Sequence, residues 1–522
     1  MQGWFRGVSV CRFTMSCRTF ATLILLELCV VAGGSVAQTS ILTWHYDNLR
    51  RGANTTEMTL TQANVNYKTF GKLSTKPVDG YVAAQPLYVP NVNIAGQVHN
   101  VVFVVTLHDS VYAFDADDTN TTPLWYTSIF TYSPPGATTV PTTLKKDPGT
   151  TGWTELGIVS TPVIDPTSGT MYLVAETYEN LQVVHRLHAL DITTGLEKLG
   201  GPTTIAATYT YNRVTTTFKD LYQMNRPGLL LTNGQVLIAW GSNGNNSPSQ
   251  GWVMSYSAST LQQLGAMTTE PGKTLASIWQ KGAGLAGDSS GYVYGVTSEG
   301  PYVAGTNLST SVLKFNASSG VQLADFFTPY NYHTLSVNDL DLTGILILPP
   351  QPGSYPDEMV AIGKEGTIYL LNRDHLGGVC TNCVTSDSQI VQEVPQGAGK
   401  ESGNPCYWNN SVYFTGQNGP VQAYTVQNGT LVVPPVTSPQ VMPGGGHCFV
   451  TANGTSNGVL WLMNGSTLYA LNAISLQTLY TTSQAPNHRD VLPPVVHFQQ
   501  PIAADGRVFI GTKNSLVTLG LL

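Results

Sequence analysis

The sequence predicts an all-β protein, an eight-bladed β-propeller, with seven blades as the alternative. Three observations carry this reading. Charged residues make up only 11% of the 522 residues, against about 25% in ordinary soluble proteins. Turn formers (Gly 52, Pro 31) and 25 Tyr dominate instead, and helical periodicity is weak throughout. Second, one rhythm recurs: a strand, a turn, a β-rich strand ending in an aromatic or aliphatic pair, a small-x-Asp/Asn turn and another strand. It is clearest over 101–117, 169–195 and 235–260, and returns over 292–320, 358–374, 411–429, 458–473 and 507–522. Eight copies at roughly 55 residues each match a four-stranded propeller blade. Third, the last copy stops after its third strand at Leu522, while a spare strand, 70–78, precedes the first. Pairing the two closes the ring and removes an exposed edge.

The elements follow in order. Residues 1–37 read as a signal peptide: Arg6, Arg12 and Arg18 precede an apolar run over 21–34, and Ser35-Val36-Ala37 offers small residues for cleavage near Ala37. Glu27 interrupts the apolar run, so an uncleaved anchor is the alternative, although the run is short for a bilayer. Residues 38–69 form a lead-in segment, and 70–522 form the propeller, closed by strand 70–78 on the last blade. The mature chain is expected to be secreted or periplasmic and to hold no transmembrane segment.

Charge and cysteine narrow the partners. The formal net charge of −7 offers no basic surface, so nucleic acid is not expected. Beyond residue 37 stand four cysteines, Cys380, Cys383, Cys406 and Cys448. An even number in an oxidising compartment suggests two disulfides, and three connectivities are open. Cys380-Thr-Asn-Cys383 is followed by Val384 rather than His, which argues against haem c. The absence of a second such pair argues against zinc.

Four stretches carry a family resemblance. ALDITTG (189–195) resembles the Ala-x-Asp-x-x-Thr-Gly turn of quinoprotein propellers, the pyrroloquinoline quinone (PQQ) dehydrogenases and their non-catalytic relatives, and AFDAD (113–117) is a looser copy. The lead-in WHYDNLRRGAN…LTQANV (44–65) and GKEGTIYLLNRD (363–374) resemble two further stretches of that family. Together these cover most of residues 44–522. The resemblance implies a metal held by a Glu and an Asn, a Trp stacked on the quinone, a basic residue beside its carbonyl, and an Asp base.

Carried over residue by residue, the resemblance makes Asp339, in NDLD (338–341), the base and Asp341 an additional metal ligand. SIWQKGAGLAGDSSGYVYGVTSEG (277–300) places Trp279 at the stacking position and Glu299 where the family has Asn. Lys364 falls on the basic position, and Glu179 lies one residue out of register with the metal Glu. In an up-and-down blade, the loops entering the first strand and those joining strands two and three share a face. All these residues fall on such loops. PQQ with Ca2+ or a lanthanide is the cofactor set this implies, and a calcium-class ion takes six to eight oxygens. The adjacent Cys pair of the family enzymes has no counterpart near residues 126–157.

Plainer readings stand beside these. Asp339 and Asp341 suit a turn or strand start, Trp279 suits blade packing, and Glu176 and Glu179 suit a solvated loop. Two functions follow. One is a secreted, non-catalytic PQQ-like propeller binding a small molecule, glycan or protein at its channel face. The alternative is a PQQ- and metal-dependent dehydrogenase oxidising an alcohol or sugar.

Overall fold

Each recurrent segment folds into a small antiparallel sheet, and burial on both faces explains its composition. The second strands of two blades, Gln235–Ser242 and Glu358–Gly363, are buried along their whole length. A strand covered on both sides has no solvent face to charge. The structure is a computed structural model that describes residues 38–145, 152–242, 248–496 and 499–522. The expected signal peptide, 1–37, lies outside the described residues.

Eight blades form the ring. The first strands of blades 1 to 4 are Leu87–Ile94, Val163–Asp165, Leu230–Thr232 and Ala286–Gly287. Those of blades 5 to 8 are Leu342–Ile347, Cys406–Trp408, Cys448–Asn453 and Ile502–Ala504. Hydrophobic clusters join neighbouring blades: Tyr172 and Leu187 of blade 2 pack with Trp240 and Trp252 of blade 3. In blade 8 the fourth strand is Phe70–Pro77, which pairs antiparallel with Ser515–Leu521, Phe70 opposite Leu521 and Pro77 opposite Ser515. The two ends of the propeller therefore share one sheet, and the strand Ser515–Leu521 is not left as the outer edge of blade 8. Among the described residues the α-helix is Tyr332–Val337, and no helix is long and apolar enough to cross a membrane.

The lead-in segment is an axial plug. Its residues bond to the first strand, or the residue beside it, in every blade. Tyr88 N–H donates to the Ile41 carbonyl in blade 1 and Ile164 N–H to the Leu42 carbonyl in blade 2. Arg50 donates toward the Leu229 carbonyl at blade 3 (3.4 Å) and to the Leu285 carbonyl at blade 4 (2.7 Å). Ile347, Tyr407 and Val450 of blades 5, 6 and 7 donate to the carbonyls of Leu49, Arg51 and Gly52. In blade 8, Ala503 N–H donates to the Tyr46 hydroxyl. Trp44, His45 and Arg50 are buried at 2%, 0% and 0% exposure. Inner strands leave one edge facing the channel, and the plug satisfies those otherwise dry backbone groups.

Both cysteine pairs are disulfides, Cys380–Cys383 and Cys406–Cys448. The second ties the first strands of blades 6 and 7, 42 residues apart. Cross-links of this span contribute about 2–4 kcal/mol. Cys406→Ser is expected to lower the unfolding midpoint accordingly in non-reducing denaturant titrations, and an unchanged midpoint would show that the bond adds nothing to the plugged ring.

A carboxylate and lysine site at the channel mouth

Blades 4 and 5 meet at a cluster of charges on the rim opposite the strand one–two turns. Asp341 sits just before the first strand of blade 5 and is 2% exposed, while Asp339, two residues earlier, is exposed. Asp339 adopts φ 54°, a left-handed turn conformation that Asp tolerates. Lys364, from the turn between strands two and three of the same blade, donates its backbone N–H to the Asp341 carbonyl at 2.9 Å. Its ammonium lies 2.5 Å from Asp339 Oδ1 and 2.7 Å from Asp341 Oδ1. Glu299 comes from the corresponding turn of blade 4. The Ser336 hydroxyl, on the short helix before Asp339, donates to the Gly300 carbonyl at 3.2 Å and locks that turn to blade 5. Carboxylate oxygens of Glu299, Asp339 and Asp341 all lie within 4.8 Å of one another.

Negative charge exceeds positive charge here. Burial pushes the Asp341 carboxyl up to about 7; Lys364 opposes this and Glu299 adds to it. Burial alone would lower the Lys364 ammonium, but Asp341 and Asp339 more than reverse that and leave it raised. Glu270, from the connection after blade 3, is completely buried, and neither of its carboxylate oxygens has a hydrogen-bond partner. Burial, reinforced by Glu299, pushes it up to about 9. Nothing in the sequence around Glu270 marks it, because only the meeting of blades 3 and 4 gives it neighbours.

The other rim residues fall into two places. Trp279 precedes the first strand of blade 4 and is half-buried against an apolar cluster that includes Ala83, Trp153, Met224 and Val496. Gly241 leaves it room, since a β-carbon there would stand 3.3 Å from the indole. Trp279 is thus a packing aromatic on the same rim as the charges. Glu179 is brought elsewhere. It lies on blade 2, with blade 3 between it and Glu299, and its carboxylate is held by Arg186 at 2.5 Å across its own hairpin. The acidic group gathers Glu299, Asp339 and Asp341, without Glu179. Nor is Glu179 a solvated loop charge: it is 8% exposed, and Glu176 in the same strand is 2% exposed.

Beside the carboxylates, a cavity of about 340 Å³ opens between blades 4, 6, 7 and 8, lined by Lys281, Glu401, His447, Lys513, Gly445 and Gly446. Lys281 donates to Glu401 Oε2 at 2.8 Å and to the Ser402 carbonyl at 3.2 Å. Asn404 N–H donates to His447 Nδ1 at 2.9 Å, so Nε2 carries the proton and donates to the Lys281 carbonyl at 3.2 Å. Burial pushes His447 down to about 3, and it stays neutral at physiological pH. Its ring stands edge-on to Trp44 of the plug, 5.6 Å between centroids, so the plug supports this end of the cavity. Sequence reasoning missed Lys281 and Glu401. Lys281 follows Trp279 by two residues, and Glu401 enters blade 6 as Asp339 enters blade 5; the shared blade-entry position is the signal that could have found both.

A second buried network lies at blade 2. Glu176 is bound by Lys145 and lies 3.1 Å from His185 Nε2, and His185 Nδ1 is 3.0 Å from Asp220 Oδ1. Burial alone would lower His185, but Asp220 and Glu176 outweigh it and leave its pKa raised. The contribution of His185 to stability is therefore complete below its unfolded value of about 6.5 and fades as pH rises through the higher folded one. Stability should fall as pH rises above that value in the parent chain, and His185→Gln should flatten this fall. A mutant profile parallel to the parent's in pH-dependent unfolding would dismiss the network as the cause.

No family model matches the sequence, and no curated protein matches it. Solved structures resemble the fold. A quinohemoprotein alcohol dehydrogenase of Comamonas testosteroni superposes with TM-score 0.61 at 13% identity, covering 93% of this chain and 81% of the other. One from Pseudomonas putida gives 0.60 at 12%, covering 92% and 80%. A europium-containing methanol dehydrogenase gives 0.61 at 11%, covering 93% and 98%. At these identities the likeness is one of fold: the eight-bladed propeller of quinoprotein alcohol dehydrogenases.

Proposed function

We propose that this quinoprotein-type propeller is exported and holds a hard cation at its channel mouth, where it binds an anionic small molecule without turning it over. One observation carries the reading: the convergence of Glu299, Asp339 and Asp341 within 4.8 Å, beside a dry Glu270. Buried carboxylates without matching cations are costly, and oxygen-only donors suit Ca2+ or a lanthanide. Lys364 holds the pair of aspartates together when no cation is present. The adjoining cavity falls in the ~300–1,000 Å³ range of small-molecule sites. Its Lys513 supplies positive charge for a carboxylate or phosphate group, while Lys281 is held by Glu401 on the same wall. The export part of the reading is supported by the leader-like 1–37 sequence and by the two disulfides.

Titration of the purified chain with Tb3+, read by luminescence sensitised from nearby Trp and Tyr, is expected to saturate at one ion per chain and to be displaced by Ca2+ or La3+. A flat titration into the millimolar range would end this reading.

The second reading is a dehydrogenase, favoured by the Asp339–Lys364 contact and by Trp279 on the same rim. The donor set fits the metal of such a site, and a half-buried indole with Lys364 and Lys281 on its rim fits the residue types that a quinone needs. Bound there, PQQ would supply the hydride acceptor. Asp339, exposed at the mouth, would take the alcohol proton on its carboxylate. Lys364 would hold that carboxylate in place, and the apolar cluster around Trp279 would keep water from one side. PQQ added with Ca2+ or La3+ should then give stoichiometric quinone absorbance and dye-linked alcohol oxidation that Asp339→Asn abolishes while the quinone stays bound. Absence of both leaves the binding function alone.

A further inference from the structure

The sequence contains Asn-x-Ser/Thr acceptors for N-linked glycan at Asn54, Asn120, Asn245, Asn307, Asn316, Asn409, Asn428, Asn453 and Asn464. Asn245 lies outside the described residues. The fold sorts the other eight. Asn54 and Asn307 are each 2% exposed. Asn54 Nδ2, the nitrogen that would carry the sugar, donates to the Ala503 carbonyl at 3.2 Å. The Nδ2 atoms of Asn307 and Asn464 are themselves buried. Five acceptors remain, and all are exposed: Asn120, Asn316, Asn409, Asn428 and Asn453.

These five share one face. Asn409 and Asn453 stand between the first and second strands of blades 6 and 7. Asn120, Asn316 and Asn428 stand where the third strand turns toward the fourth in blades 1, 4 and 6. In an up-and-down blade both kinds of turn lie at the end opposite the channel mouth. Turn chemistry explains an asparagine at some of these places, since Asn409 and Asn428 adopt left-handed φ of 48° and 52°. It does not call for a hydroxyl two residues later. The mouth-side turn asparagines Asn180 and Asn418 are followed at that distance by Gln182 and Pro420, while Asn307 and Asn464, on the same side and followed by Ser309 and Ser466, have buried Nδ2 atoms. At Asn316, the Ser318 hydroxyl donates to Oδ1 at 2.7 Å and the Ser318 N–H at 2.9 Å.

We infer that Asn120, Asn316, Asn409, Asn428 and Asn453 are N-glycosylation sites that coat the face opposite the channel mouth. In the transfer, each Asn Nδ2 forms a bond to the anomeric carbon of a lipid-diphosphate-linked oligosaccharide. The sugar–phosphate C–O bond breaks, the lipid diphosphate leaves with that electron pair, and the amide gives up one proton. The inference rests on the export proposed above.

The full chain, with its own leader, is secreted from a eukaryotic host and deglycosylated enzymatically in heavy-oxygen water, and labelled Asn-to-Asp conversions are mapped by peptide mass spectrometry. Label is expected at the five far-face positions and not at Asn54, Asn307 or Asn464. Failure to enter the secretory route, label at none of the five, or label mainly at the three buried positions would each overturn the inference. Thr430→Ala and Ser318→Ala keep the turn asparagines yet should each remove one glycan; retention of both glycans would also overturn it. Tb3+ titration of the same sample before and after deglycosylation reports the cation site separately, so loss of one conclusion is distinguishable from loss of the other.

Discussion

Asp341→Asn is expected to weaken Tb3+, La3+ and Ca2+ binding by at least about 10²-fold while the ring stays folded. Two unit charges about 4 Å apart interact by about 4 kcal/mol at an effective dielectric of 20, and removing one buried carboxylate donor forfeits much of this for a multivalent ion. The fold should tolerate the change because Lys364 keeps Asp339 at 2.5 Å and the asparagine amide fills the same space. Lys364→Met supplies the opposite sign. Its ammonium lies between the two aspartates and competes for them, so its loss should tighten cation binding by about tenfold, at a cost in stability from two aspartates left facing one another. If both variants weaken the ion alike, Lys364 is part of the ion's support rather than its competitor. If neither changes it, the ion is not bound at this cluster. Luminescence titration with circular dichroism on the same samples separates these outcomes from unfolding.

Arg50→Met should cost about 3–5 kcal/mol of stability, since buried carbonyls left without a donor cost about 1–3 kcal/mol each and water relieves only part of that. The guanidinium donates to the carbonyls of Leu285 at 2.7 Å and Trp44 at 2.6 Å and to the Thr43 hydroxyl at 2.8 Å, all of them buried. Burial lowers its pKa only to about 9, so it keeps its charge at neutral pH. Methionine is long enough to fill the channel, so the loss isolates the hydrogen bonds from simple cavity formation. The lead-in should become the first segment to exchange amide hydrogens and to be cut by protease, with the blades following at a lowered unfolding midpoint. A change below about 1 kcal/mol, with the lead-in still protected, would show that the backbone bonds of residues 41–52 hold the plug without it.

The carboxylate cluster and the plug also show what a linear reading can reach. Asp339, Asp341, Glu299 and Lys364 were recognisable because a family-like stretch surrounds each. Glu179 carried a similar local signal, yet it lies with a whole blade between itself and Glu299 and is spent on Arg186. Glu270 carried no such signal and gains its neighbours only where blades 3 and 4 converge. The lead-in motif was legible as a motif, but its task was not. Its bonds reach residues hundreds of positions away, such as Ala503 N–H on the Tyr46 hydroxyl, 457 residues apart.

The sequence by itself determined the eight-fold strand repeat, the spare strand at 70–78 and the low charge of 11%. Strand alternation and turn chemistry are local, and they are written within one repeat at a time. The tertiary structure decided which rim charges meet, which cysteines pair and what fills the channel. Those are properties of the ring: closing eight sheets around an axis brings together turns far apart in the chain. It also leaves the inner strands with backbone groups facing the channel, which the axial segment satisfies.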